Sequence, residues 1–387
     1  MMTGKSLIFD LNRRHEFVLL FDVTDGNPNG DPDAGNMPRF DPETMQGITT
    51  DVMLKRKIRD YVNRTFGEPI FIQSQVALNT LIREAFEEVG VEPCMIDLTE
   101  EQLEDDRLIE WLGGKEPLGY AIEGKCLIYS GDKSKKADLS KELTENLENG
   151  DAEIKPKLEE IADSLAESLK KKGKASIPNE KREEARKKLC ETYFDIRMFG
   201  AVLSTGLNAG QVRGPVQLTF ARSIDPILPL DLTVTRVART TLARMAREGT
   251  TEMARKPVVP YGLYKAYGFF NPYLAEGTGV KREDLEHLYE ALQNLFEFDR
   301  SAARGNMAVR GVAVFSHENE KGSAPADRLF KLIRISKRDG IDAPRSSEDY
   351  RIVAPPDGSL EMYSFPGVYI TWLMKPEDLE VLEPLGT

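Results

Sequence analysis

Phe17-Val-Leu-Leu-Phe-Asp-Val23, followed at once by Thr24-Asp-Gly-Asn-Pro-Asn-Gly-Asp-Pro-Asp-Ala-Gly35, decides how this chain is read. The first run is nearly all apolar and rich in Phe and Val, which predicts a buried strand. The second is dominated by Gly, Pro, Asn and Asp, so it is an irregular loop. Thr50 or Asp51 can then cap a helix running to about Asn63. Leu54, Ile58, Tyr61 and Val62 give that helix an apolar face, and Lys55-Arg56-Lys57-Ile58-Arg59 makes it basic. Lys55 and Arg59, four apart, share a neighbouring face predicted to be exposed. A helix N-terminus offers backbone N–H groups and the positive end of a dipole, which suits phosphate. The same residues taken alone also describe an ordinary basic surface helix.

Outward from this segment, residues 76–130 alternate helical patches with a strand candidate at Cys126 to Tyr129. Residues 132–191 are rich in Lys and Glu, with a break at Gly173 to Pro178. They read as an inserted helical or partly disordered excursion, with Leu143, Leu147, Leu158, Ile161, Leu165 and Leu169 as its packing stripe. Val216 to Ala221, Tyr261 to Phe270 and Gly311 to Ser316 read as strands, and Arg282 to Phe298 as an amphipathic helix. Ile224 to Lys256 has no core period and reads as a protruding loop or hairpin. Pro355 to Thr387 reads as a tail with short extended runs. Helices and strands mix without a βαβ rhythm, which predicts an α+β fold.

The chain has 387 residues, 40% of them hydrophobic and 30% charged, which predicts a soluble globular protein of about two domains. Its opening, MMTGKSLIFDLNRRHEF, is too polar for a signal peptide, and no run is long and apolar enough for a membrane span. Cys94, Cys126 and Cys190 make no zinc spacing and no disulfide framework, which predicts a reducing cytoplasm. A net charge of −12 argues at first against nucleic acid. Local charge decides such binding, however, because fields are screened within about 8–10 Å. Glu84 to Glu123 carries a balance of −11, and Arg197 to Lys256 a balance of +5. Clusters of this kind are also what solvated surface faces look like.

Five stretches carry a resemblance. They are FDVTDGNPNGDPDAGNMPR at Phe21 to Arg39 with TTDVMLKRKIR at Thr49 to Arg59, then FDIRMFGAVLSTGLNAGQVRGPVQLTFARSIDPI at Phe194 to Ile227. VPYGLYKAYGFF at Val259 to Phe270 and FEFDRSAARG at Phe296 to Gly305 complete the set. Long and collinear, they closely resemble the backbone subunit of Cascade, the type I CRISPR surveillance complex. The match is to the seventh Cas protein family, of the RAMP superfamily, and to its type I-C branch.

The resemblance implies a hand-shaped protein whose palm is RRM-like, of ferredoxin type, with inserted fingers and thumb. It places the discontinuous palm at 1–75 and 193–330, with thumb loops at about 200–215 and 225–258. A finger domain falls at 76–192, holding the charged part 132–191, and a C-terminal extension at 331–387. Copies stack along a CRISPR guide RNA in a helical filament, with target DNA reached through the guide and other Cascade subunits as partners. No cofactor is implied. Lys55 and Arg59 fall on the family's basic helix positions, and Thr50 matches a small hydroxyl residue suited to phosphate.

Such a protein must grip any guide by phosphate and sugar and leave base edges free. Asn27, Asn29, Arg56, Arg197, Arg213, Arg300 and Arg304 lie in the matching stretches and are candidates for that contact, although intramolecular pairing, such as Arg300 with Asp299 or Arg197 with Asp195, also accounts for arginines there. Val202, Leu203, Leu232 and Val234 lie in the thumb loops as candidate wedges for a displaced base, and plain buried aliphatics fit the same positions. No aromatic run of RNP type sits on a strand, so bases are not expected to stack on a sheet.

Two catalytic readings compete. Related type III backbone proteins cut target RNA with an acidic loop residue, and Asp25, Asp31 and Asp33 lie in the loop here. Turn chemistry explains these residues without catalysis. A guide-processing endonuclease would need a general base, and His15, His287 and His317 are scattered. The expectation is a non-catalytic subunit with no metal.

Overall fold

The computed structural model describes residues 4–91, 94–131, 133–147, 153–172, 177–204, 207–237 and 252–384. The chain divides into two compact units. The first comprises 1–68, 215–276 and 280–387, and the second 69–214 with 277–279.

The apolar run at the N-terminus is the centre of the first unit. It lies in β1 (His15–Gly26), in a nine-stranded sheet among the described residues. Following β1 come β2 (Gln46–Thr49), β3 (Val216–Leu218), β4 (Ala221–Pro226), β5 (Leu230–Arg236), β6 (Glu252–Phe270), β7 (Asn306–His317), β8 (Gly358–Ser359) and β9 (Val368–Met374). The order is β8-β9-β7-β1-β6-β4-β2, with β3 and β5 also paired to β6. Two antiparallel ladders hold β1, His15 opposite Phe270 on one side and Ser316 on the other.

Both faces of β1 are covered, as an unbroken apolar run requires. On one face Phe17 meets the edge of Tyr289, from helix α2 (Arg282–Gln293), with centroids 6.3 Å apart. Phe21 stacks on Tyr264 at 5.3 Å. Gly268 is needed for this packing, because a Cβ there would stand 2.0 Å from the Phe17 ring. On the other face Val18 and Leu20 join Phe315, Phe330, Ile370 and Trp372 in one buried cluster. The stretch expected to be a tail therefore supplies a sheet strand and core side chains. Helix α1 (Asp51–Phe66) lies beside α2, starting at a Thr50 cap and ending at Gly67 in left-handed conformation.

Other boundaries shift for local reasons. Val216 to Ala221 is not one strand: Thr219 still donates its N–H to the Tyr267 carbonyl, but Tyr267 N–H turns to the Thr219 hydroxyl, and β4 resumes one residue out of the β3 register, with Arg222 opposite Lys265. Helix α2 stops at Gln293, not Phe298, where Asn294 leaves the helical region. The expected protruding hairpin is a ribbon of β5 and β6 where described, and residues 238–251 lie outside the described residues.

In the second unit, Cys94–Asp97, Cys126–Tyr129 and Tyr120–Glu123 form a three-stranded sheet, two strands more than the sequence suggested. The charged excursion is ordered helix at Lys136–Thr144, Lys155–Lys172 and Asn179–Thr192. Leu143, Leu158, Ile161, Leu165 and Leu169 are buried against Leu108, Leu127 and Tyr129, and Leu147 is half-buried beside them. The 3.6-residue stripe thus found a partner sheet. Most of the expected break, 173–176, lies outside the described residues. No helix among the described residues is long and apolar enough to cross a membrane.

Candidate nucleic-acid interface

The Asn/Gly/Pro loop after β1 is wired closely to the start of α1. Asn29 Oδ1 accepts from the Thr50 N–H at 3.0 Å and from its hydroxyl at 2.9 Å. The Thr50 hydroxyl oxygen in turn accepts from the Met53 N–H, capping the helix. Asn27 is buried, donates through Nδ2 to the Asn36 carbonyl at 2.7 Å and through its backbone to the Ala303 carbonyl at 2.8 Å. Asp31 accepts from the Asp33 N–H and faces Arg39 at 3.2 Å. Its carboxylate is thus used in holding the turn.

A second segment clamps the loop. Arg304 donates to the carbonyls of Asn27 and Pro28 at 3.1 and 2.6 Å. Asp299 pairs with Lys57 of α1 at 2.7 Å and lies within ion-pair distance of Arg304 at 3.4 Å. The two strands of chain approach so closely that a Cβ on Gly26 would stand 1.9 Å from the Arg304 carbonyl oxygen. Loop, helix start and the Asp299 to Arg304 turn form one hydrogen-bonded platform at the N-terminal end of α1.

The basic face of α1 is not the free surface the sequence suggested. Lys55 is 14% exposed and pairs with Asp51 at 3.0 Å, while Arg56 pairs with Asp60. Arg59 is 9% exposed. Burial extends beyond the apolar face of the helix to Lys57 and Arg59, so the i, i+4 spacing put Lys55 and Arg59 together without making them solvent-facing.

The remaining candidates divide. Arg300 pairs with Glu297 at 2.9 Å, on the surface, and not with Asp299. Arg197 is buried and donates to the carbonyls of Cys190 and Glu191 at 2.9 and 3.1 Å. It satisfies the last turn of helix Asn179–Thr192, which corrects the phosphate expectation for it. Within the second unit, Gly200–Leu203 pairs with Gly210–Arg213, and Arg213 is exposed. Strand alternation sends Val202 outward, 66% exposed, and Leu203 inward, 0% exposed against Leu81, Phe86 and Leu189. Leu203 is therefore core and offers no wedge. Leu232 and Val234 are exposed on the ribbon of the first unit.

Sequence reasoning named Lys57 and Asp299 but not the pair between them, because a charge pair far apart in sequence shows no spacing. Among the described residues no group of three or more His, Cys, Asp and Glu side chains is placed to hold a metal.

The sequence model of a family described as CRISPR-associated protein Cas7 matches residues 13–116 and 121–354, most of the chain. The chain belongs to the Cas7 family. A stretch of 63 residues is 48% identical to CRISPR-associated protein Cas7 of Haloferax volcanii, covering 14% of this chain and 18% of that relative. The chain thus matches about a fifth of the curated relative's length. Two solved chains are similar. One, of a CRISPR RNA-guided surveillance complex described as pre-nicking, is 16% identical at a TM-score of 0.43, covering 78% of each chain. Another, of a CRISPR RNA-guided surveillance complex, is 14% identical at 0.35, covering 78% of this chain and 75% of that one. The Cas7 family match takes in the loop, α1 and the Asp299 to Arg304 clamp, and ends before β9.

Proposed function

We propose that this chain is the guide-RNA-binding backbone subunit of a type I-C Cascade surveillance complex, working in the cytoplasm without catalysis. Several copies lie along the guide in a helical filament, present its bases to target DNA and meet the other Cascade subunits. In this reading the sheet with α1 and α2 on one face is the RRM-like palm, the unit at 69–214 supplies the fingers, and the β5/β6 ribbon is a thumb. Leu232 and Val234 then fill the space of a displaced base, whose stacking is otherwise worth about 1–3 kcal/mol.

The observation that carries the reading is the platform at the start of α1. Asn29, Thr50 and Arg304 fix backbone amides and a helix N-terminus in place, and such an arrangement grips phosphate without reading sequence. Lys55 and Arg56 stand in the next turn of the same helix, each paired with a carboxylate of α1 itself. The Arg56–Asp60 pair is about a third exposed on each side, and such a pair is worth about 0–1 kcal/mol, so its exchange for a phosphate costs little, whereas Lys55 is more enclosed.

Filter binding of guides of unrelated sequence at several salt concentrations tests this. Lys55→Ala with Arg56→Ala is expected to weaken every guide about equally and to lower the salt slope by about 0.7 for each phosphate no longer neutralised. Weakening confined to some sequences, or wild-type protein that binds no guide, would overturn the proposal.

A further inference from the structure

The face of the sheet opposite α1 and α2 carries a row of cations, of which only Arg39, through Asp31, touches the loop of the guide-binding platform. Residues directly opposite one another in antiparallel strands share a face. Arg39 opposes Ile48 on β2, Ile48 opposes Arg222 on β4, Arg222 opposes Lys265 on β6, and Lys265 opposes Leu20 on β1. Leu20 belongs to the cluster with Phe330 and Trp372, whereas Phe21 beside it faces Tyr264 and Phe296 on the helix side. The row therefore lies on the side away from α1.

Like charges directly opposite on neighbouring strands destabilise a sheet, so the Arg222–Lys265 pairing requires a compensating reason. Among the described residues the compensation is incomplete. Arg222 is half exposed and meets Asp41 at 2.9 Å, and Arg39 meets Asp31. Lys265 has no ion pair among the described residues. Its ammonium stands 5.6 Å from the centroid of Tyr267, whose ring is stacked on Phe330 at 4.2 Å. Lys265 thus lies over a packed ring, and among the described residues its charge has no acidic partner. Strands lie about 4.8 Å apart, so Arg39, Arg222 and Lys265 span about 14 Å, the length of two to three nucleotides of an extended strand. Phe220, between β3 and β4, is exposed. With Tyr267 covered by Phe330 and Lys265, the face offers charge and little ring surface.

We propose that Arg39, Arg222 and Lys265 form a second, sequence-independent phosphate site that holds the backbone of a single-stranded nucleic acid other than the guide. The inference builds on the guide-binding proposal, and Arg222 and Lys265, which carry its test, lie on the opposite face outside that platform. Three cations and no reader of base edges fit a phosphodiester chain whose sequence does not matter.

The test uses the full chain, free and loaded with guide RNA, and a fluorescent thirty-nucleotide oligo-dT with no complementarity to the guide. Anisotropy is followed as salt is raised. Loaded protein is expected to bind oligo-dT, and Arg222→Gln with Lys265→Gln to lower the salt slope by about 1.4, at about 0.7 per phosphate. Asp41→Asn, which releases Arg222, is expected to tighten oligo-dT binding, a change of sign that weakened packing would not produce. Guide binding should be unchanged in both variants. Arg222→Gln alone, at an exposed position, serves if the double variant does not fold. The proposal is overturned if the loaded protein binds no oligo-dT or the variants leave the slope unchanged. It is equally overturned if the variants weaken the guide instead, which would place the row on the guide's own path. Disappearance of RNA-free self-association at low salt, with oligo-dT binding intact, would assign the row to an acidic surface of another copy and also overturn it. Wild-type protein that binds no guide at all is the separate outcome that defeats the guide-binding proposal.

Discussion

Asn29 shows how much one side chain organises here. One amide oxygen accepts from both the backbone and the hydroxyl of Thr50, so the loop, the cap and the first turn of α1 depend on it. Asn29→Ala is expected to cost about 1 kcal/mol in urea unfolding, the usual scale for removing a cap or a buried hydrogen bond. His15 is a second such residue, of a different kind. It is fully buried between Ser316 and the Asp10 carbonyl, and burial pushes its pKa down to about 4. The fold therefore holds it neutral, whereas the unfolded chain takes up a proton below about 6.5. The stability from keeping it neutral is present above pH 6.5 and is lost as pH falls towards 4, about 3 kcal/mol in all. His15→Gln should flatten that part of the curve of unfolding free energy against pH, and an unchanged curve would show that another group sets it. Both residues were visible in the sequence, one as a loop asparagine and the other as a scattered histidine. Neither could be given its partner, because Thr50 and Ser316 lie far away in sequence.

At the scale of elements, the Lys/Glu-rich segment was the hardest to read. Its composition matches a disordered excursion, and only its leucine stripe argued otherwise. In the fold, helix Lys155–Lys172 buries that stripe against Leu108, Leu127 and Tyr129. Leu165→Ala is expected to destabilise the protein by about 2–5 kcal/mol in thermal or urea unfolding, as for a core leucine. A change below about 0.5 kcal/mol would mean that the helix is a surface appendage. The β5/β6 ribbon is the opposite case. Its exposed Leu232 and Val234 contribute little to packing, so Leu232→Ser should leave stability within about 0.5 kcal/mol. If it acts as a thumb, the same change should weaken guide binding. Strand alternation separated Val202 from Leu203, but which of the two faces the core depends on the helices around them.

For the molecule as a whole, the expected property is assembly through RNA. Protein purified without nuclease should carry RNA and elute as higher oligomers that nuclease treatment reduces to monomers. A monomer with a protein-only ultraviolet spectrum, unchanged on adding guide, would count against the filament. The distribution of charge makes this reading compatible with a net charge of −12, since local charge and not the total decides phosphate binding when fields are screened within about 8–10 Å.

The sequence by itself determined the mixed α and β class, the buried first strand, the helix starting at Thr50 or Asp51 and the family, because each is written in contiguous residues. Apolar periodicity, turn chemistry and long collinear motifs survive without a third dimension. Only the tertiary structure decided what each cation is engaged with. Lys55, Arg56, Arg59, Arg197 and Arg304 look alike in a basic motif, yet Arg197 ends a helix and Arg304 clamps a loop. Arg39, Arg222 and Lys265, scattered over more than two hundred residues, become neighbours because antiparallel register places them on one face. Charge is a property of a residue, whereas its partner depends on distance, and distance is fixed only when the sheet closes.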